Sequence, residues 1–406
     1  EKLVRTFPNP MFEYRFFVIE EDAYNAFAAP GGYIFVNSGL IRAMDSEEEL
    51  AGIMAHEIAH VNCRHISEKI AKNKKISLAT LAGIAASVFL GATTGVPSSA
   101  FAIGSAAAGQ AAMLAYSRED ERQADQLGLR YLCQAGYSPE GLLTILKKIK
   151  SKEWFDADDI PTYLTTHPAV NERIAYLDTL KTPTGFAVCN PPEKSDSEDF
   201  KVVMTKISAE YSDETFSIKT FKNHLDKDPD SVLGHYGYGL AMARKTRYTD
   251  AIHHFQAALA GDAFNPHILK DLGQAYFLTG QYEKALGILE NIPGDGFYDP
   301  IQQFYYARTL GELGRTKKAA AILKELTEKS PESLPAFYHL GKIYGQQGQM
   351  KDAHFYLGRY YKETGEATNA LFHFKKALEL YNDPDKKKEI KELIAEIKKP
   401  KEKLLQ

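Results

Sequence analysis

The sequence predicts an α+β chain, mostly helical, in which an N-terminal domain with a small β-sheet is followed by an all-α repeat solenoid. Three observations carry that prediction. One helix near residue 50 bears the run His56-Glu57-Ile58-Ala59-His60, two aromatic and β-branched runs precede it, and small and bulky residues recur every 34 positions beyond residue 230. At 406 residues the chain has room for two or more cores. A net charge of −4 gives no global basic field, so nucleic acid is not an expected partner.

The first strands are Tyr14–Ile19 and Tyr33–Val36, joined by a loop that contains Pro30-Gly31-Gly32. An open edge of such a sheet can hold an extended peptide as an added strand. An ordinary scaffold hairpin reads equally well from these residues.

Ser46 with Glu49 looks like a capping box, and Leu50, Ile53, Met54, Ile58 and Val61 follow at helical spacing. On that helix His56 and His60 are four residues apart, so both rings leave one face and can grip a single Zn²⁺. Glu57 is rotated about 100° around the axis, where it can reach a water beside the metal as general base. His65 falls off the metal face and reads as structural. A catalytic zinc takes three protein ligands, and the third is sought in Ser117–Asp125. There Ala124, Leu127, Gly128, Tyr131, Leu132 and Ala135 form an apolar stripe that Gly136 ends. Glu121 and Asp125 lie on or beside the stripe, which suits a metal ligand and an acceptor for a ligand histidine. Glu119 and Asp120 suit a solvated first turn.

Residues 76–117 contain no charged side chain. The favoured reading is a helical hairpin forming a lid or wall over the cleft; a surface touching a membrane and a buried helix pair are the alternatives. Each half is shorter than the roughly 20 residues a spanning helix needs. Residues 183–200, with Pro183, Gly185, Pro191-Pro192 and an acidic run, mark a linker between a domain over 1–182 and a repeat domain over 201–400. Ala251, Ala285, Ala319 and Ala353 are spaced 34 apart, as are Gly239, Gly273, Ala307 and Gly341, with Phe255, Leu289, Leu323 and Leu357 as the bulky partners. This is the tetratricopeptide pattern, with four clear repeats from about 232 to 367. Gly358, Ala370, Phe374 and Ala377 restart it out of phase, and a lysine-rich helix over 385–399 suits a cap. Such a stack binds protein substrates or protein partners. His253, His254, His339, His354 and His373 show no ligand spacing and read as ordinary helix residues.

The run HEIAH followed by Glu121-x-x-Ala124-Asp125 resembles the M48 family of zinc metallopeptidases, a gluzincin arrangement. Asn25–Val36 is similar to the family's strand pair, and Thr166-His167-Pro168 with Arg173 is similar to its late His-Pro…Arg segment. The resemblance implies one Zn²⁺ per chain on His56, His60 and Glu121, with Glu57 catalytic and Asn25, Ala26 and Phe27 lining the substrate cleft. It places His167 near the metal, either as an oxyanion donor or as an inhibitory fourth ligand, unless Thr166-His167-Pro168 merely caps a helix. Arg173 is a second candidate oxyanion donor. It further implies a periplasmic endopeptidase for misassembled envelope proteins, with the repeats touching the outer-membrane β-barrel assembly machinery and 76–117 available for peripheral membrane contact. The alternative is a chaperone or assembly adaptor with minor peptidase activity. Glu1 in place of Met suggests a removed secretory signal. Cys63, Cys133 and Cys189 are an odd number and leave the redox compartment open.

Overall fold

The computed structural model describes residues 2–6, 12–72, 115–155, 161–179, 198–292 and 299–398. Most of the uncharged stretch 76–117 and of the expected linker 183–200 lies outside them. The chain divides into two compact units, Glu1–Asp213 and Glu214–Leu404.

The first unit opens on three strands, β1 (Arg15–Ile19), β2 (Ala26–Ala29) and β3 (Tyr33–Asn37), in the order β1-β3-β2. β1 runs parallel to β3 and β2 antiparallel to it, so the sheet is more than the two strands read from propensity. Ala26-Phe27-Ala28-Ala29 is a weak strand sequence; its pairing with β3 and the burial of Ala26 and Ala28 make it one.

Three helices follow, α1 (Ser38–Arg42), α2 (Glu47–Asn62) and α3 (His65–Lys72). The Ser46 hydroxyl accepts from the Glu49 N–H, as expected, but the Glu49 carboxylate turns to the Asp45 N–H and to Lys148. The capping box is therefore half formed. Then come α4 (Arg118–Gln134), α5 (Glu140–Phe155), α6 (Thr162–Thr166), α7 (Val170–Thr179) and α8 (Glu198–Tyr211). α4 starts on a complete box between Ser117 and Asp120 and stops before Gly136, whose φ is 75°. α2 is the central element, packed by α4, α5 and β2. Gly128 of α4 lets the two helix backbones approach: a Cβ there would sit 3.2 Å from the His56 main-chain nitrogen. α8 packs on α1, and Arg42 donates to the Ser212 hydroxyl just beyond it.

The second unit is all helical: α9 (Glu214–Lys227), α10 (Val232–Arg244), α11 (Tyr248–Gly261), α12 (Pro266–Leu278), α13 (Tyr282–Leu289), α14 (Pro300–Glu312), α15 (Thr316–Lys329), α16 (Leu334–Gln346), α17 (Met350–Glu363), α18 (Ala367–Leu380) and α19 (Pro384–Lys398). The 34-residue period has a direct cause. A Cβ on Gly239, Gly273 or Gly341 would fall 2.6–2.8 Å from Phe255, Leu289 or Leu357, so each glycine makes room for the bulky residue sixteen positions on. Gly358 and Phe374 repeat the pairing at 2.7 Å, which makes α17 both the close of one pair and the start of the next. α19 closes the stack with Ile390 buried beside Phe374 and Tyr381. No helix among the described residues is long and apolar enough to cross a membrane.

Candidate metal centre

The site assembles on α2, α4 and the end of α6. His56 and His60 leave the same face of α2, with their Nε2 atoms 3.0 Å apart. Glu121, one turn into α4, sets Oε2 3.4 Å from His56 Nε2 and Oε1 3.4 Å from His60 Nε2. His167, at the C-cap of α6, brings Nδ1 to 3.4 Å from His56 Nε2 and 3.0 Å from Glu121 Oε1. One donor atom from each of these four buried residues lies within 4.8 Å of all the others. Four ligands at about 2.0–2.1 Å around a tetrahedral ion stand about 3.3 Å from one another. The donor set fits a zinc-sized cation.

Outer contacts aim the rings. Asp125 Oδ1 lies 3.0 Å from His56 Nδ1 and accepts its proton, leaving Nε2 to face the cluster. His65 does the same for His60, with their Nδ1 atoms 2.9 Å apart, and in turn contacts Gln123 Oε1 at 3.0 Å. An α2 continued through His65 would carry its ring off the metal face. Instead α2 ends at Asn62, Arg64 takes a φ of 57°, and a new helix starts at His65, which turns the ring back.

Arg173 of α7 donates to both Asp125 oxygens, at 2.8 and 2.6 Å, and its Nη1 lies 2.5 Å from Glu121 Oε2. It was expected as an oxyanion donor; its guanidinium is instead occupied by the two acidic side chains that face the histidines. Burial alone would raise the Glu121 pKa, but Arg173 and then His167 hold it well below the usual carboxylate range. Burial and Arg173 oppose a proton on His56, yet Asp125 and Glu121 raise its pKa to about 9, so protons and metal compete for this ring. Burial pushes His60 well down, toward the neutral form a metal needs.

Glu57 is the unpaired member. It is fully buried, and neither carboxylate oxygen has a hydrogen-bond partner among the described residues; the nearest ring nitrogen, His167 Nε2, is 3.6 Å away. Burial raises its pKa, which makes it a better base for a water proton. A carboxylate left this way is costly unless a ligand or water completes it.

Residues 1–181 match the model of Peptidase family M48. The N-terminal unit carries an M48 peptidase domain. Tetratricopeptide-repeat models match 241–300, 303–333 and 352–384. The Beta-barrel assembly-enhancing protease of Escherichia coli is 27% identical over 329 residues, covering 77% of this chain and 64% of that protein. The Yersinia pestis protein of the same name is 24% identical over 343 residues, covering 82% and 68%. Mitochondrial metalloendopeptidase OMA1 of Arabidopsis thaliana is 31% identical over 160 residues, 39% of this chain and 30% of its own.

Within the M48 domain, Asn25, Ala26 and Phe27 differ in what they present. Asn25 keeps a buried side-chain oxygen without a partner among the described residues, whereas Phe27 stacks on Phe35 at 5.0 Å. The Ala26 main-chain oxygen faces His167 Nε2 at 3.3 Å. Two tyrosines also line the site. Tyr116 stacks on His60 at 3.6 Å and Tyr163 on His167 at 4.2 Å, each with a buried hydroxyl that no described residue meets. Tyr163 carried a signal, since it stands four residues before His167; Tyr116 carried none beyond preceding the cap Ser117.

Proposed function

We propose that this chain is a zinc-dependent endopeptidase in which His56, His60 and Glu121 hold one Zn²⁺ and Glu57 is the general base. The observation that carries the reading is a buried, partnerless carboxylate directly beside a four-donor cluster. A bound zinc would supply Lewis acidity toward a peptide carbonyl and lower the pKa of water nearby. Glu57 takes a proton from the attacking water and returns it to the leaving amine. Asp125 and His65 keep the ligand rings oriented. Arg173 acts as a positioning residue that neutralises Asp125 and Glu121 from behind.

His167 best fits the role of fourth ligand, because its Nδ1 stands with the other donors and not across an open position. It holds the enzyme off until its loop moves. The substrates we infer are misassembled or unfolded envelope proteins, on the strength of the likeness to the β-barrel assembly-enhancing proteases; the repeat domain, which begins at Glu214 and not at 201 as the linker composition implies, would bind those substrates or their assembly machinery. We infer a periplasmic location from the same likeness. Glu57→Gln tests the core of this reading. Hydrolysis of an unfolded protein should fall about 10²–10⁴-fold while metal analysis still finds one zinc per chain. Unchanged hydrolysis in that variant would remove Glu57 as the base, whereas lost hydrolysis with the protein's function still rescued would leave the adaptor reading in its place.

A further inference from the structure

His167 holds two groups at once. Nδ1 stands in the ligand cluster, while Nε2 lies 3.3 Å from the Ala26 main-chain oxygen. That oxygen has a particular position in the sheet. The Asn37 N–H donates to the Asn25 oxygen, and the register pairs Ala26 with Val36 and Phe27 with Phe35. In an antiparallel ladder, residues between hydrogen-bonded pairs turn both N–H and C=O to the opposite side. Ala26 and Ala28 therefore direct their main-chain groups away from β3. Among the described residues no other strand of the sheet lies on that side of β2. An extended peptide adding to this edge needs those same groups.

A neutral imidazole carries one proton. Donation from Nε2 to Ala26 leaves the lone pair on Nδ1, so one hydrogen bond both fills the edge acceptor and selects the tautomer that makes Nδ1 a ligand. Ala26 and His167 are both 0% exposed, so a peptide that reaches this oxygen has to displace the ring.

We propose that strand addition at β2 and release of His167 are one event. An incoming peptide N–H takes the Ala26 oxygen, Nε2 loses its acceptor, and Nδ1 loses the bias that keeps it in the ligand set. The latch thus responds to an extended segment with an unpaired main-chain N–H, which an unassembled strand offers and a completed sheet does not. This rests on the zinc-peptidase reading above.

The test uses the full chain as Glu57→Gln, loaded with Co²⁺, whose visible absorption follows its ligand set. A synthetic extended Thr-Val-Ala peptide is compared with versions N-methylated at one amide at a time. Binding of the parent peptide should shift the Co²⁺ bands, and one N-methyl position should abolish the shift. Adding His167→Ala should remove the shift altogether and tighten parent-peptide binding roughly five- to tenfold, the worth of one hydrogen bond no longer displaced. Unchanged bands on binding, an equal shift from every methylated peptide, or no binding of the parent would overturn the coupling. Failure of the underlying reading shows differently: the site would not take up Co²⁺, or the zinc-loaded natural chain would not hydrolyse protein.

Discussion

Both units have apolar cores, but among the described residues only the first encloses a cluster of ionisable side chains within it. At the heart of the first, His56, Glu57, His60, Glu121, Asp125, His167 and Arg173 are nearly or fully enclosed. At the heart of the second, Ala251, Phe255, Ala285, Leu289, Ala319, Leu323, Ala370 and Phe374 fill the interior. The apolar stack gains from every buried contact and stores its stability repeat by repeat. The ionisable cluster costs free energy at each member and is tolerable only when every partner is present. The repeat core is therefore additive, whereas the ionisable cluster depends on all of its partners together.

Removing one partner from each should expose that contrast. Arg173→Met leaves two buried carboxylates without their guanidinium partner, and unfolding in denaturant should show the first unit weakened by about 3–5 kcal/mol. Phe374→Ala opens a cavity facing Gly358 and should cost the second unit about 3–5 kcal/mol, with hydrolysis of a short peptide unaltered. An unchanged first transition in the Arg173 variant would remove the idea that the guanidinium is what makes the acidic pair tolerable.

Chelation sharpens the comparison. With free zinc a hundredfold above its Kd, binding adds about 2.7 kcal/mol to the unit that holds it. Calorimetry of chelated protein should thus show the first unit melting earlier and the repeat unit at its former temperature. Equal shifts in both would contradict a metal site confined to the first.

The smallest effect concerns pH. Burial, with His235 and His253 nearby, lowers the His254 pKa to about 4, and burial with Arg308 lowers His339 to about 4. Both unfolded values are near 6.5. Between those limits the unfolded state binds more protons, so the repeat unit should be stable above pH 6.5 and lose stability as pH falls toward 4. Both rings are partly solvated, so a modest fall in melting temperature is expected. His254→Gln with His339→Gln should flatten it, and an equally steep fall in that double variant would assign the effect elsewhere.

What could be read from the chain tracks how local each feature is. The capping serine, the four-residue histidine spacing and the alanine and glycine period all depend on one helix or one helix pair, and each is visible without a partner. Glu121 and Asp125 could be picked out because carboxylates on an apolar stripe demand an explanation. β2 was harder, as alanines carry little strand preference and its pairing comes from β3. His65 was misplaced because nothing in the residues announces the left-handed Arg64 that turns the chain.

By itself the sequence determined the helix that carries His56, Glu57 and His60 on its spacing, and the repeat solenoid, because a 3.6-residue pitch and a 34-residue period translate spacing directly into geometry. The tertiary structure decided that His167 faces the cluster through Nδ1 while holding Ala26 through Nε2, and that Arg173 clasps Asp125 and Glu121. Those distances join elements that are far apart along the chain. They follow from how closely α2, α4, α6 and α7 can pack, which no periodicity encodes.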